Sequence, residues 1–290
     1  MLPAICILLV FPYVCAMLQT ESRIEDTRKR CPCGSISNSV QSRVVGGHAA
    51  GRGLFPYASD LLGVYRGEVN ADVPFCGGTL ITDRHVLTAA HCLRNESPER
   101  IVVDVGDYSL HDRRDGQFIR TRSLSMFPEY SSRKFHTDIG IVELATPVRF
   151  NSTRTAVLPP HDLDLQPGTR VSVYGWGRLT YGGGRPDVLQ DVTLPVWNND
   201  ECQRKFHSFI EPSMICAGGE PDKDACLGDS GSGLVVRLDN EYVLCGVVSF
   251  GRKCGLPHVP GVYTKVSSYM DWILEKTRTA NCRPCIYGDE

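Results

Sequence analysis

Short apolar runs that alternate with polar residues set the strongest limit on how this chain can fold. The runs RVSVY (residues 170–174) and FIRTRSLSMF (residues 118–127) have the two-residue period of strands. In GLVVRLDNEYVLCGVVSF the pair Asp239-Asn240 indicates a hairpin turn. One segment, SSYMDWILEKT, has a helical period, so we expect a helix at about residues 268–277. Many short strands and few helices predict an all-β sandwich or barrel.

The cysteine content indicates the compartment. Thirteen cysteines in 290 residues would be unusual in a cytosolic protein. The first twenty residues have no charged side chain, contain an apolar run and include Val14-Cys15-Ala16, a pattern typical of signal-peptide cleavage. We therefore predict a signal peptide at residues 1–16 and a secreted, extracellular protein; a retained signal anchor is the alternative. The glycosylation sequons at Asn95 and Asn151 agree with this route.

Charge and composition argue against several partners. The net charge of −2 gives no reason to expect nucleic-acid binding, and no later segment is long and apolar enough to span a membrane. Residues 17–43 are polar and lack a periodic apolar face, so we interpret them as a pro-segment. At the other end, residues 281–290 form a cysteine-containing tail.

A glycine-rich loop, DACLGDSGSG (residues 224–233), surrounds Ser230. Glycine lets a backbone approach closely or take a positive φ, so this loop is suited to expose Ser230 and the N–H groups beside it. A serine hydroxyl is a weak nucleophile unless a base activates it. His91 in TAAHC and Asp138 in HTDIGIVEL are candidates for the base and its acidic partner, although either residue alone is more often structural.

Taken together, these three residues belong to a larger pattern. The order His91, Asp138, Ser230, with the motifs RVVGG, YGWG and GDSGSG, resembles the trypsin/chymotrypsin-like serine proteases over about residues 44–277. The CPCG before RVVGG resembles the pro-segments of secreted arthropod members. The resemblance implies two six-stranded antiparallel β-barrels with a C-terminal helix. It places a peptidase domain at 44–280, with barrels at about 44–158 and 165–266.

The resemblance also implies the chemistry. His91 would take the proton of Ser230 as the hydroxyl attacks the scissile carbonyl, and would return it to the leaving amine. Asp138 would hold the imidazole in the required tautomer. The N–H groups of Gly228 and Ser230 would form the oxyanion hole, which stabilises the charge that develops on the carbonyl oxygen.

Activation would involve the bond between Arg43 and Val44. Cleavage there creates an ammonium group on Val44 that, in this family, pairs with the acid beside the nucleophile, here Asp229. The alternative is that Asp229 only stabilises its turn by hydrogen bonds. Because the RVVGG motif is present, we expect a zymogen that is activated by a trypsin-like protease or by itself.

Substrate preference would depend on Asp224, at the position where the family has the floor of its specificity pocket. A carboxylate enclosed there needs a cationic partner, so the resemblance implies cleavage after Arg or Lys. Gly251 and Gly261 match the pocket-wall glycines that leave room for such side chains. Phe250 and Lys253 depart from the family pattern at the substrate-binding wall and rim, which bears on substrate breadth.

By resemblance, six cysteines form three disulfides: Cys76–Cys92, Cys202–Cys216 and Cys226–Cys254. Our hypothesis for four others is that Cys31 and Cys33 pair with Cys282 and Cys285, so that the cleaved pro-segment stays attached. A zinc site formed by CPC and CRPC is the alternative. Cys245 is left over, either as a buried thiol or as an intermolecular link.

The segment VGDYSLHDRRDGQF resembles the calcium-binding loop of trypsins, with Asp107, Asp112 and Asp115 as the ligands. Arg113 and Arg114 would repel the ion, and a solvated charged loop is the alternative. No metal or other cofactor is required for the expected chemistry.

The resulting prediction is a secreted trypsin-like serine endopeptidase that acts on protein substrates after Arg or Lys. An activating protease and serpin-type or other protein inhibitors are its expected partners, with no nucleic acid and no membrane. A non-catalytic homologue is the first alternative, and it is disfavoured because His91, Asp138 and Ser230 are all present. A disulfide-rich adhesion or inhibitor module explains neither these residues nor the cleavage site. Digestive, venom, clotting and immune roles all fit the prediction.

Overall fold

Two antiparallel sheets make up most of the computed structural model, which describes residues 26–36, 47–70, 73–112, 114–131, 135–180, 182–206 and 210–289. The strands of these residues are β1 (His48–Ala49), β2 (Ala58–Tyr65), β3 (Glu68–Val69), β4 (Cys76–Leu80), β5 (His85–Thr88), β6 (Ile101–Val105), β7 (Gln117–Met126), β8 (Gly140–Leu144), β9 (Val157–Leu158), β10 (Arg170–Gly175), β11 (Gln190–Pro195), β12 (Met214–Gly218), β13 (Gly233–Leu238), β14 (Glu241–Phe250), β15 (Pro260–Lys265) and β16 (Cys285–Ile286). The helices are α1 (Ala90–Leu93), α2 (Asn199–Phe206) and α3 (Met270–Lys276), with 3₁₀ turns at Pro98–Arg100 and Val266–Tyr269.

The first sheet closes into a barrel. Its order is β3-β2-β4-β5-β8-β7-β6, and β2 also pairs with β6, so that six strands form a ring and the short β3 lies outside it. Leu61 of β2 lies opposite Cys76 on one side and Val103 on the other. Every residue of β4, β5 and β6 is buried, so side chains fill the inside of the ring and neighbouring segments cover its outside.

The second sheet has the order β1-β11-β10-β13-β14-β15-β12. An isolated bridge between Val196 and Ala217 joins the end of β11 to β12, which completes a second six-stranded ring. Three short strands lie outside that ring: β1 pairs with β11, while β9 runs parallel to both β14 and β16. The prediction of an all-β fold with two barrels and a C-terminal helix is therefore confirmed, and α3 with its preceding 3₁₀ turn occupies the predicted helical segment.

The two barrels share a continuous apolar core. One cluster of buried side chains contains residues from β2 and β4 to β8 of the first barrel together with Tyr174, Val235, Leu244 and Val247 of the second. Phe55 stacks on Tyr174 with ring centroids 4.8 Å apart, and the Tyr174 hydroxyl is 2.7 Å from Thr79 Oγ1. A buried hydrogen bond inside an apolar contact fixes the relative position of the two elements that it joins. The cleft between the barrels is therefore held in a defined geometry.

Five disulfides link cysteines of the described residues. Three of them are the pairs that the resemblance implied, Cys76–Cys92, Cys202–Cys216 and Cys226–Cys254. The other two join the pro-segment to the C-terminal tail, as Cys31–Cys282 and Cys33–Cys285. The zinc alternative is wrong for this structure, because sulfur atoms in disulfides cannot act as thiolate ligands. Cys245 is a free thiol with 2 % exposure, and such burial excludes an intermolecular link in the folded protein.

Backbone hydrogen bonds continue the attachment of the pro-segment beyond its sulfur atoms. Cys31 N–H donates to the Arg283 carbonyl and Arg283 N–H donates to the Lys29 carbonyl, each at 2.9 Å. Thr155 N–H donates to the Pro32 carbonyl at 2.9 Å, and Cys31 is buried. Residues 26–36 are thus an integral part of the fold next to β9 and β16.

Two predictions concern segments outside the described residues. These are the signal peptide at residues 1–16 and the activation bond between Arg43 and Val44. None of the helices in the described ranges has the length and apolar character that crossing a bilayer would need.

Candidate active site

A histidine and an aspartate of the first barrel form a close pair. His91 lies on the short helix α1, which begins two residues after β5, and Asp138 lies just before β8. His91 Nδ1 is 2.8 Å from Asp138 Oδ2, and the His91 N–H donates to Asp138 Oδ1 at 2.9 Å. Asp138 is fully buried. Because both carboxylate oxygens are bound, the Nδ1 side of the imidazole is fixed and the Nε2 side is left to face the cleft.

The second barrel also binds Asp138. Ser249 Oγ donates to Asp138 Oδ2 at 2.5 Å, and Thr264 Oγ1 donates to the Asp138 carbonyl at 2.8 Å. Ser249 is not among the functional residues predicted from the sequence. Its only signal was its position in SFG, directly before the aromatic residue of the substrate-binding wall.

Ser230 lies in a turn between β12 and β13, at the surface of the second barrel that faces the first. Its carbonyl accepts a hydrogen bond from Gly77 N–H at 2.8 Å, and the same oxygen is 3.7 Å from Cys92 Sγ. Cys92 follows His91 in the chain and is bonded to Cys76, which precedes Gly77. The structure therefore brings the predicted nucleophile and the predicted base to the same short stretch of the cleft. This disulfide and His91 form a compact group of potential metal ligands, but the two bonded sulfurs are unsuited to bind a metal.

The acid beside the nucleophile is enclosed by backbone. Asp229 Oδ1 accepts from Gly177 N–H and Oδ2 accepts from Cys226 N–H, both at 2.8 Å. Although Asp229 keeps some exposed surface, burial raises the pKa of its carboxyl group above the ordinary value, and these two N–H donors offset part of the rise. The exposed part faces a cavity of about 270 Å³ that is also lined by Gly47 and Asp191. The predicted ammonium donor, Val44, is three residues before Gly47 and lies outside the described residues.

A second cavity, of about 250 Å³, begins at Ser230 and ends at Asp224. Burial raises the pKa of the Asp224 carboxyl group to about 7, although Gly255 N–H donates to its Oδ2 at 3.2 Å. The glycines predicted for the wall both line this cavity, and a Cβ at Gly261 would lie 3.3 Å from Asp224 Oδ1. The disulfide between Cys226 and Cys254 braces its side. The cavity can therefore hold one long side chain whose tip meets a carboxylate.

Three phenylalanine side chains form a connected group of rings next to His91. The ring of Phe135 lies 6.1 Å from that of His91 and 5.4 Å from that of Phe250, and Phe250 in turn contacts Phe206 at 5.7 Å. These contacts join a loop of the first barrel to the second. They form an apolar wall beside the cavity, which Phe250 also lines.

The predicted calcium ligands are tied to arginines. Asp112 binds Arg114 at 2.5 Å, and Asp115 binds Arg52. Asp107 is buried, and its Oδ1 accepts the N–H groups of the two residues that follow it. A bound calcium ion would have to displace both ion pairs. Calcium binding stays a prediction and enters no step below. The two predicted glycosylation sites, Asn95 and Asn151, are exposed.

Comparison with known proteins adds independent support. The family model described as Trypsin matches residues 44–273. The chain belongs to the trypsin family. It is 36% identical over 236 residues to Trypsin II-P29 of Gallus gallus, covering 80% of this chain and 88% of the relative. The Venom protease of Bombus pensylvanicus is 38% identical over 237 residues, which cover 79% of this chain and 96% of the relative.

A longer relative shows the same domain in another setting. The Serine protease filzig of Drosophila melanogaster is 35% identical over 256 residues, which are 83% of this chain but only 15% of that protein. This trypsin-family chain thus spans a small part of that relative and most of the other two. The coarse activity follows from the family: the protein is a serine endopeptidase.

Removing the Ser249 hydroxyl tests its bond to Asp138. We expect Ser249→Ala to lower the free energy of unfolding by about 2 kcal/mol, because hydrogen bonds to charged groups are stronger than those between neutral groups. The matched control is Ser267→Ala, since Ser267 is equally buried but donates to a neutral carbonyl, that of Leu163. The control should cost about 1 kcal/mol by urea unfolding. Equal losses in the two variants would contradict the charged bond.

Proposed function

We propose that this chain is a secreted zymogen which, after cleavage between Arg43 and Val44, hydrolyses peptide bonds that follow Arg or Lys. The observation that carries the proposal is the cavity that runs from Ser230 to the Asp224 carboxylate, next to the bonded pair of His91 and Asp138. A serine endopeptidase needs a nucleophile, a base and a place for the substrate side chain, and this arrangement offers all three.

The proposed reaction uses the Ser-His-Asp mechanism. His91 Nε2 accepts the Ser230 proton while Ser230 Oγ bonds to the scissile carbonyl carbon, and the imidazolium then gives this proton to the leaving amine. Asp138 stabilises the imidazolium, and Ser249 keeps the carboxylate oriented. The N–H groups of Gly228 and Ser230 bind the oxyanion. Water then hydrolyses the acyl-enzyme. His91 takes a proton from the water as its oxygen bonds to the acyl carbon, and it returns this proton to Ser230 Oγ as the acid product leaves.

The proposed preference for basic residues rests on Asp224. An enclosed carboxylate without a cationic partner is costly, and burial already pushes its pKa toward neutrality. A guanidinium or ammonium group at the end of a long side chain would return the carboxylate to its charged form. Gly251 and Gly261 leave space for that side chain.

The proposed activation step supplies a cation to Asp229. Burial raises the pKa of its carboxyl group even with the Arg185 guanidinium nearby, so a closer cation would stabilise the charged form. The Val44 ammonium group, once freed by cleavage after Arg43, would provide that partner from the cavity lined by Gly47. Gly177 and Cys226 already orient the carboxylate from the other side.

The setting of the enzyme is part of the proposal. We place the signal peptide at residues 1–16, the pro-segment at 17–43 and the peptidase domain at 44–280. Five disulfides and two exposed sequons support an extracellular location. Protein substrates, an activating protease and serpin-type or other protein inhibitors are the proposed partners.

The direct test compares the cleaved enzyme with its Ser230→Ala variant. Protein cleaved after Arg43 should hydrolyse an arginyl ester and a peptide containing one arginine, and the variant should lose at least about 10³-fold in kcat, since the nucleophile is gone. Intact zymogen serves as the second control and should be nearly inactive. Equal turnover by the cleaved protein and Ser230→Ala would rule out this chemistry, and no turnover would favour the non-catalytic homologue.

Activation should leave the pro-segment attached. After cleavage at Arg43 we expect one band of unchanged size on a non-reducing gel and two bands after reduction, because Cys31–Cys282 and Cys33–Cys285 span the cut. A variant with Cys31, Cys33, Cys282 and Cys285 all changed to Ser is the control and should release the segment without reductant. Release from the unaltered protein would contradict the tether.

Binding of a cation in the cavity should depend on pH. The pKa of the Asp224 carboxyl group is about 7 in the folded protein, against a usual value of 3.8. Between these two pH values folding therefore disfavours the ionised form, and a bound cation would offset that cost. We expect the Kd of benzamidine, measured by calorimetry on cleaved Ser230→Ala, to decrease about tenfold for each unit by which the pH rises toward 7. Above pH 7 the Kd should stay constant, because Asp224 is then ionised. Asp224→Asn is the control and should bind weakly at every pH. A flat profile in the presence of Asp224 would contradict the raised pKa.

A further inference from the structure

An arginine lies against the proposed oxyanion hole. If Gly228 had a Cβ atom, that atom would lie 2.9 Å from Arg185 Nη2, 3.1 Å from Cζ and 3.1 Å from Nη1. Three nearly equal distances mean that the guanidinium plane faces the Gly228 backbone. The group is therefore held flat over the residue whose N–H is proposed to bind the substrate carbonyl.

This guanidinium has donor capacity to spare. Arg185 Nη1 is buried, and no hydrogen-bond partner for it occurs in the part of the chain that the structure describes. Guanidinium N–H groups are strong donors that fit carboxylates in a bidentate manner. Leaving such a group unpaired and shielded from water is costly, so a ligand that brings a carboxylate would be favoured.

The acid near Arg185 is already occupied. Burial raises the pKa of the Asp229 carboxyl group, and the positive charge of Arg185 nearby offsets a small part of that rise. The oxygens of Asp229 nevertheless bind Gly177 N–H and Cys226 N–H. If the Val44 ammonium group also pairs with Asp229, as proposed above, the negative charge beside Arg185 is neutralised further. Asp229 would then attract the positive charge of Arg185 less strongly.

The loop that carries Arg185 is fixed to the catalytic segment. Arg178 N–H donates to the Leu227 carbonyl at 2.9 Å, directly before Gly228. Leu179 N–H donates to the Gly184 carbonyl at 3.1 Å, which closes the loop just ahead of Arg185. A cation on a loop with two backbone anchors can select a ligand because its position is defined in advance.

The cavity that ends at Asp224 indicates where the residues before the scissile bond would bind. The cavity that ends at Asp224 takes the side chain before the scissile bond, and its lining contains Ser230, Phe250 and Gly251 but not Arg185. The apolar wall of Phe135, Phe250 and Phe206 borders the same upstream side. Arg185 contacts Gly228 from outside this cavity.

We propose that Arg185 forms a binding subsite for a carboxylate on the leaving-group side of the scissile bond. The carboxylate belongs to an Asp or Glu side chain one or two residues after the cleaved bond, or to the C-terminus of a short substrate. Arg185 is thus a specificity-determining residue. The proposal rests on the proposed endopeptidase function and adds the chemistry of the substrate after the cut.

The test uses protein cleaved after Arg43 and three peptides that are identical before the scissile bond and differ only in the second residue after it, as Glu, Gln or Lys. We expect kcat/KM to fall in the order Glu, Gln, Lys, with about a tenfold difference between Glu and Lys, the range of one charge-assisted hydrogen bond. The ratio should shrink at high salt, since part of each charge is exposed. A fourth peptide that ends at this position, as free acid or as amide, distinguishes a terminal carboxylate from a side chain.

Variants assign the preference to Arg185. Arg185→Gln should bring the Glu-to-Lys ratio close to one, Arg185→Lys should keep part of it, and Arg185→Glu should reverse it. Arg278→Gln removes one positive charge next to the C-terminal helix, where Arg278 pairs with Glu275, and should keep the full ratio. An unchanged ratio in Arg185→Gln, or a ratio of one in the unaltered enzyme, overturns the proposal.

An arginyl anilide, which has no residue after the scissile bond, separates this proposal from the proposed function. Its turnover by the unaltered enzyme reports only on the residues before the scissile bond and on the Ser-His-Asp chemistry, because it does not reach the subsite. If the unaltered enzyme does not hydrolyse the anilide, the proposed function fails. If it does, and the peptides show no difference, only the Arg185 subsite fails. Should Arg185→Gln lose its fold, the peptide series and salt dependence of the unaltered enzyme still decide.

Discussion

One buried carboxylate connects the two barrels, and the rest of the site depends on it. Asp138 comes from the first barrel and accepts two hydrogen bonds from His91 of the same barrel, but its third donor is Ser249 of the second. A carboxylate with no exposed surface is tolerated only if its lone pairs are satisfied. Any relative shift of the barrels would break one of these bonds. The orientation of His91 is therefore coupled to the packing of the whole molecule.

Three aspartates at the cleft differ in their surroundings, and these differences divide the proposed tasks. Asp138 has three donors and serves as a fixed orienting group. Asp229 has two N–H donors and a raised pKa, so it can still gain from a cation supplied by the chain itself. Asp224 is bound by the N–H groups of Gly255 and Ala225 and has a pKa near 7, so it can gain from a cation supplied by the substrate. The third donor thus separates Asp138, which is held as a structural group, from the two carboxylates whose raised pKa lets them gain from a cation.

Motifs in the sequence were sufficient to predict the fold and to select most residues that meet at the cleft. They succeeded because the glycine-rich loop and the segments with His91 and Asp138 are each local in the chain. Contacts such as those of Ser249 with Asp138 and of Arg185 with Gly228 could not be predicted in this way, since they depend on how loops about 40 residues or more apart pack against each other. The choice between zinc and disulfides for Cys31 and its partners also needed the distances between the sulfur atoms.

The close contacts of the Ser230 loop with the first barrel and with Arg185 explain the glycines on either side of Ser230. Gly231 has a φ of 84°, and a Cβ at this position would overlap with the Thr88 hydroxyl and lie 2.5 Å from the Gly77 carbonyl, both in the first barrel. Gly228 has a φ of 105°, and its missing Cβ leaves the space in which the Arg185 guanidinium lies. A side chain at either position would be strained and would also separate the surfaces that meet there. Gly231 therefore lets the loop contact the first barrel, and Gly228 lets a cation approach the backbone of the proposed oxyanion hole. Both contacts thus form within two residues of Ser230, the proposed nucleophile.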